Sequence, residues 1–231
     1  MIPPRGVVIV FAKAPRPGEV KTRMCPPLSP GEAAELYASM LADVLEATAR
    51  AARLLGIDPL LAVHPPGLCA ELARDVPTPF RVISQRGPGL GARMAWAVRE
   101  AAAAGVRRVL LRGSDSPTLD GAALASALAD LDEHDVVLRP DRDGGYNLVG
   151  LRRPTPEIFD HPMSTASVLE DTLARAKALG LAVKVAEPGF DLDTLADLRW
   201  LARERERAAE LCARTLAFAD RRGLWRHAGA R

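Results

Sequence analysis

The sequence predicts a three-layer αβα domain built on a mostly parallel, mixed sheet. Three observations lead there. Short runs rich in Val, Ile and Leu alternate with longer stretches of helical periodicity along most of the 231 residues. Several of these runs are apolar on both sides, as strands covered by helices on either face must be. Finally, 48% hydrophobic against 26% charged residues suffices to fill one core and excludes a disordered chain.

The predicted strands span residues 7–12, 60–64, 80–84, 108–112, 136–139, 146–151 and 182–186. The first long helix is announced by Ser29-Pro30-Gly31-Glu32, which supplies an N-cap hydroxyl, a proline at the first helical position and a glutamate at the third. It should run over 30–55 and stop at Gly56. Further helices are expected over 90–104, 121–131 and 165–179, and a last one from just after Asp193 to about Arg222. Residues 155–165 lack regular patterning and read as a surface excursion beside the site. Residues 1–203 are expected to form the domain proper, with 204–231 a helical extension of it that could serve as a homodimer contact.

Charge narrows the function classes. With 31 basic and 29 acidic side chains the net charge is +2, so no single-sign field recruits nucleic acid or anionic membrane. Cys25, Cys69 and Cys212 are far apart and fit no metal or redox spacing, which favours a reducing, cytoplasmic setting over a disulfide framework. The apolar run in MIPPRGVVIVFAKAP is followed at once by Lys13 and shows no cleavage pattern, so it reads as a buried strand. No stretch approaches the roughly 20 apolar residues of a membrane helix.

In a parallel sheet of this kind ligands gather at the carboxyl ends of the strands, so the residues following each strand matter most. After the first strand, Lys13, Arg16, Lys21 and Arg23 place four cations in eleven residues, with Gly18 and prolines bending the chain. Such a loop suits a polyphosphate, although neither a P-loop nor a G-x-G-x-x-G pattern is present, and a solvated basic loop is the plain alternative. After the third strand, Gln85-Arg86-Gly87-Pro88-Gly89-Leu90-Gly91-Ala92-Arg93 either lets backbone approach a flat ligand or simply makes a tight turn into a helix. After the fourth strand, Asp115 could hold a hard divalent cation or serve as a turn former, with Asp120 the better cap for the next helix. After the fifth, Asp143-Gly144-Gly145-Tyr146 is an ordinary hairpin turn or a segment facing a sugar or acceptor. Asp191 and Asp193 lie on one side of an extended segment; Asp193 is a natural N-cap, or either could complete a metal site with Asp115. His64 and His161 have no partner spacing, Cys25 has no activating histidine, and Ser114 lacks a nucleophile-elbow context. Hydrolase and thiol chemistry are thereby disfavoured.

Taken in order, FAKAPRPGEVKTR (11–23), QRGPGLGARM (85–94), GSDSPTL (113–119), RPDRDGGYNLVGL (139–151) and DLDTLADL (191–198) resemble the DUF2064 family of predicted bacterial glycosyltransferases. That family belongs to the nucleotide-diphospho-sugar transferase superfamily with the GT-A fold. The resemblance implies a nucleotide and diphosphate site at Ala12, Lys13, Lys21, Arg23, Gln85, Gly89 and Arg93. It implies Mg²⁺ or Mn²⁺ at Asp115 and Asp193, and a sugar or acceptor segment at Gly144, Gly145, Tyr146 and Thr165. Asp143 and Lys21 are the candidate catalytic residues. One departure is Met163-Ser164-Thr165 where the family usually has Trp-Gly-Thr or Trp-Ser-Thr, which removes an aromatic wall from the acceptor pocket. The implied partners are a nucleoside-diphosphate sugar, or a nucleoside triphosphate, and a small-molecule acceptor. Glycosyl transfer is the leading expectation, nucleotidyl transfer with loss of pyrophosphate the second, and a binding protein without turnover the third.

Overall fold

Alternation along the first strand sorts the core into two faces. In the computed structural model, which describes residues 6–225, β1 (Gly6–Lys13) sends Val7 and Ile9 to one side and Val8, Val10 and Ala12 to the other. Residues 1–5, ahead of the opening apolar run, and 226–231, the end of the predicted extension, lie outside the described residues. The chain continues through α1 (Pro30–Leu55), β2 (Asp58–His64), α2 (Cys69–Leu72), β3 (Arg81–Ser84), α3 (Leu90–Ala103), β4 (Arg108–Gly113) and α4 (Gly121–Asp130). Then follow β5 (Val136–Pro140), β6 (Tyr146–Leu151), α5 (Val168–Ala178), β7 (Val183–Val185), α6 (Leu195–Arg203), α7 (Arg205–Ala209) and α8 (Ala213–Arg221).

Among the described residues seven strands form one sheet in the order β3-β2-β1-β4-β6-β5-β7. β6 alone runs against its neighbours β4 and β5, and the other pairings are parallel. The αβα prediction and its mixed, mostly parallel sheet are therefore met. On one face, Met94, Ala97 and Val98 of α3 and Ala176 of α5 pack against Ile9, Leu111 and Val149. On the other, α1 and α4 cover Val8, Leu110 and Val137.

α1 begins as the sequence dictates. Ser29 Oγ accepts from the Glu32 N–H at 3.3 Å while the Glu32 carboxylate accepts from the Ser29 N–H at 2.8 Å, and Gly56 closes the helix at φ 65°. Three expectations need correction. The predicted 165–179 helix starts only at Val168, because Ser164 takes φ 63° and residues 165–167 turn first. The predicted terminal helix is three helices, and the bends between them bring Leu198, Leu201, Ala208, Leu216 and Phe218 onto one cluster with Met24, Leu36, Met40 and Leu192. Residues 155–165 are also less superficial than predicted: a single 3-10 turn at Pro156–Phe159 buries Ile158 and Phe159 in the core.

Candidate active site

β1 delivers the cationic loop to the carboxyl edge of the sheet, and local hydrogen bonds hold it there. The Lys13 N–H donates to the Tyr37 hydroxyl at 3.0 Å, and the Ala14 N–H to the His64 carbonyl at 2.9 Å. Arg16 turns outward to Glu71 at 2.8 Å. Lys21 adopts a left-handed backbone at φ 49°, ψ 33°, between the buried Val20 and Met24, and its side chain is only 3% exposed. Its ammonium donates to the carboxylates of both Asp115 and Asp193, the latter at 2.8 Å, and Arg23 takes the second Asp193 oxygen at 2.6 Å. Burial alone would lower the Lys21 pKa, but the two facing carboxylates outweigh it and hold the amine above its ordinary range.

The loop after β4 is fixed from beneath. Arg112, 2% exposed, donates to Thr48 Oγ1, the Leu119 carbonyl and the Ser116 carbonyl at 3.0, 3.3 and 2.8 Å. Burial pulls its pKa down to about 10, which leaves it charged at neutral pH. The Leu192 N–H donates to the Asp115 carbonyl at 2.9 Å, and Ser116 Oγ donates to the Asp191 carboxylate, so the two acidic segments are stitched together. Burial first, then the charges of Asp141 and Asp115, push Asp191 well above the usual carboxylate range. Of its two readings, N-cap or metal ligand, the N-cap does not hold for Asp193. Thr194 precedes α6, and Asp197 accepts from the N–H groups of Asp193 and Thr194 at 3.0 and 2.7 Å, which leaves the Asp193 carboxylate free for the cations. Asp120 caps α4 through the Ala123 N–H at 2.8 Å, as expected.

Gln85 spends both amide hydrogens on the carbonyls of Ala12 and Ala62, at 3.1 and 2.8 Å, so it ties β1 to β2. Its Oε1 faces Arg93 at 3.4 Å. A Cβ on Gly91 would sit 2.7 Å from the Phe159 carbonyl, so this glycine lets α3 meet the Pro156–Phe159 turn. The β5–β6 hairpin approaches α5 just as closely. Gly144, at φ 87°, would place a Cβ 2.1 Å from the Ala166 carbonyl, and its own carbonyl accepts from the Leu169 N–H at 3.0 Å. Tyr146, half-buried, has its hydroxyl 3.3 Å from Thr172 Oγ1, and burial raises its pKa to about 12. His161 also reaches Thr172, at 3.0 Å, so it does have a partner.

These pieces enclose a cleft with two adjoining lobes. The first, about 530 Å³, is polar and receives Ala12, Lys13, Lys21, Arg23, Gln85, Arg93, Asp115, Asp191 and Asp193. The second, about 500 Å³, is mostly apolar and is bounded by Leu90, Met94 and Met163, with Asp143, Gly145 and Thr165 at its polar rim. Phe11, Arg23, Tyr146 and Ser164 line both. Gly89 lies instead in the neighbouring groove beside Arg93, and Gly144 backs onto residue 166. Sequence reasoning missed Tyr37 and Arg112, and it read Gly91 as facing a ligand or making a turn where the structure packs it against the Phe159 carbonyl. Tyr37 had one available signal, a lone aromatic on the apolar side of an alanine-rich helix. Ser114 is hydrogen-bonded to Tyr37 at 2.7 Å, and no histidine partners it among the described residues. Among the described residues no group of three His, Cys, Asp or Glu forms a ready metal cage, and no helix is long and apolar enough to cross a membrane.

Comparison with known proteins places this architecture. No curated protein matches the sequence. A Desulfovibrio desulfuricans G20 structure described as a "putative nucleotide-diphospho-sugar transferase" superimposes with a TM-score of 0.88 at 29% identity, over 97% of this chain and 98% of that one. The 4-diphosphocytidyl-2C-methyl-D-erythritol synthase of Anaerococcus prevotii DSM 20548 shares the fold at TM-score 0.58 and 12% identity, over 87% and 96% of the two chains. Rv0371c of Mycobacterium tuberculosis H37Rv, solved with manganese, does so at 0.50 and 13%, over 87% and 98%. The profile of DUF2064, described as an uncharacterized protein conserved in bacteria, matches residues 47–165, just over half of the sequence. The chain thus belongs to the DUF2064 family and carries the fold of the nucleotide-diphospho-sugar transferases.

Proposed function

We propose that this protein is a metal-dependent transferase that moves a sugar from a nucleoside-diphosphate sugar to a small hydroxyl-bearing acceptor. The observation that carries the proposal is the meeting of Lys21 and Arg23 with Asp115 and Asp193 in the polar lobe, with Arg23 also lining the adjoining apolar one. Asp115 and Asp193 suit Mg²⁺ or Mn²⁺, because both already reach one cationic nitrogen and such ions take one or two carboxylates with phosphate and water for the rest. The manganese complex of the Mycobacterium tuberculosis neighbour is in keeping with that ion. When bound, the ion would neutralise charge on the leaving diphosphate.

The chain's own residues carry the remaining tasks. Lys13, Arg23 and Arg93 line the polar lobe, where they orient and neutralise the diphosphate. Gln85 keeps the ends of β1 and β2 in register, and Arg112 keeps Asp115 in place. Asp143, exposed at the rim of the apolar lobe, orients the acceptor hydroxyl and takes its proton. Gly144 and Gly145 open the hairpin backbone, while Tyr146 and Thr165 contact the transferred group or the acceptor. The free thiols of Cys25, Cys69 and Cys212 fit a reducing cytoplasm.

A thermal-shift screen of UDP-, GDP-, ADP- and dTDP-sugars, with and without Mn²⁺, tests the reading. A donor at 100 times its Kd should add about 2.7 kcal/mol, and Asp115→Asn should erase the Mn²⁺-dependent part. Product analysis with the donor so found should show nucleoside diphosphate released only when an acceptor is present. The Anaerococcus prevotii neighbour is named for a diphosphocytidyl product, so nucleotidyl transfer is the second reading. Pyrophosphate release from a nucleoside triphosphate would replace glycosyl transfer with it.

A further inference from the structure

We infer that Lys21 is a tethered cation occupying the divalent ion's own position, so that metal and lysine compete for the same two carboxylates. The inference rests on the reading of Asp115 and Asp193 as metal ligands, and it adds what the metal-free site does with them. Two carboxylates meeting in a partly sheltered cleft repel each other unless a cation lies between them. Here that cation comes from the chain: Lys21 Nζ contacts both carboxylates, and the side chain carrying it is 3% exposed.

The loop delivers the ammonium to that point through its backbone. A lysine in left-handed conformation is uncommon and is held by its neighbours, here Val20 at 4% exposure and Met24 at 0%. Met24 belongs to the same apolar cluster as Leu192, which separates the two acids Asp191 and Asp193. Both sides of the contact are thus anchored in one core. A divalent ion arriving alone must pull the carboxylates away from Lys21 and leave a buried ammonium without a partner, which is costly. The free acidic pair is then available in only a small fraction of molecules, and apparent metal affinity falls by that fraction.

Mn²⁺ binding measured by electron paramagnetic resonance, with Mn²⁺ as the only ligand, tests this. Lys21→Met should bind Mn²⁺ about tenfold or more tightly than the wild type, whereas Lys21→Arg, which keeps the charge, should stay weak. The gain should vanish in Lys21→Met/Asp115→Asn. Lys21→Gln repeats the measurement should the methionine variant fail to fold. Equal or weaker Mn²⁺ binding in the neutral variants, with Asp115→Asn still lowering wild-type binding, overturns the competition and leaves the metal ligands standing. A gain that survives loss of Asp115 overturns both, as does Mn²⁺ binding by no variant at all.

Discussion

His64 ends β2 next to the cationic loop, and its ring shows how strongly that loop is felt nearby. Its Nδ1 is buried and has no hydrogen-bond partner among the described residues. Burial, then the charges of Arg93 and Lys13, lower its pKa below the usual 6.5. The sign follows from linkage: between the folded value and 6.5 the unfolded chain binds more protons, so this contribution to stability is present above 6.5 and lost as pH falls through the folded value. An NMR titration of the imidazole should find its midpoint under 6.5, moving upward when inorganic pyrophosphate neutralises Lys13 and Arg93. A midpoint at or above 6.5 without pyrophosphate contradicts the geometry. At this scale the sequence was legible where charge met a strand end, as at Lys21, Asp115 and Asp193. It was silent on Arg112, because one arginine inside the apolar run VLLRG gives no sign that it reaches both Thr48 of α1 and the carbonyls of the loop after β4.

At the scale of elements, α8 owes its start to a residue far away in the chain. Cys212 precedes the helix and provides no cap, while the buried Asp43 of α1 accepts from the N–H groups of Arg214 and Thr215 at 3.2 and 2.8 Å and from Thr215 Oγ1 at 2.8 Å. One carboxylate thus does the work of a local N-cap. Asp43→Ala should cost about 2 kcal/mol in urea unfolding and should speed protease cleavage within α8 ahead of the rest of the chain. A loss under about 0.5 kcal/mol would show that the cap contributes little. The elements themselves were largely readable. The α1 boundaries follow from Ser29, Glu32 and Gly56, since every determinant lies within a turn of the helix end. The division of the terminal helix was not readable, because its bends answer to Asp43 and to the apolar cluster around Leu36 and Met40.

At the scale of the whole molecule, that cluster joins the last helices to the cationic loop, through Met24 and Leu28, and to the acidic segment, through Phe190 and Leu192. Cys212 sits within it at 0% exposure, and burial followed by the Asp43 charge raises its thiol pKa to about 12. Iodoacetamide at pH 8 should therefore label the half-buried Cys25 and Cys69 first and reach Cys212 only along the urea unfolding curve of this cluster. Early labelling of Cys212 in native protein would show that the C-terminal helices open separately. The αβα class, the strand list, the capped first helix and the charged residues at strand ends were set by the sequence itself, because hydrophobic period, caps and charge are short-range signals. Which strand runs backwards, which lysine is buried between which acids, and how the tail folds onto α1 were decided only in three dimensions. Each depends on contacts between residues far apart in the chain, and no local pattern encodes them.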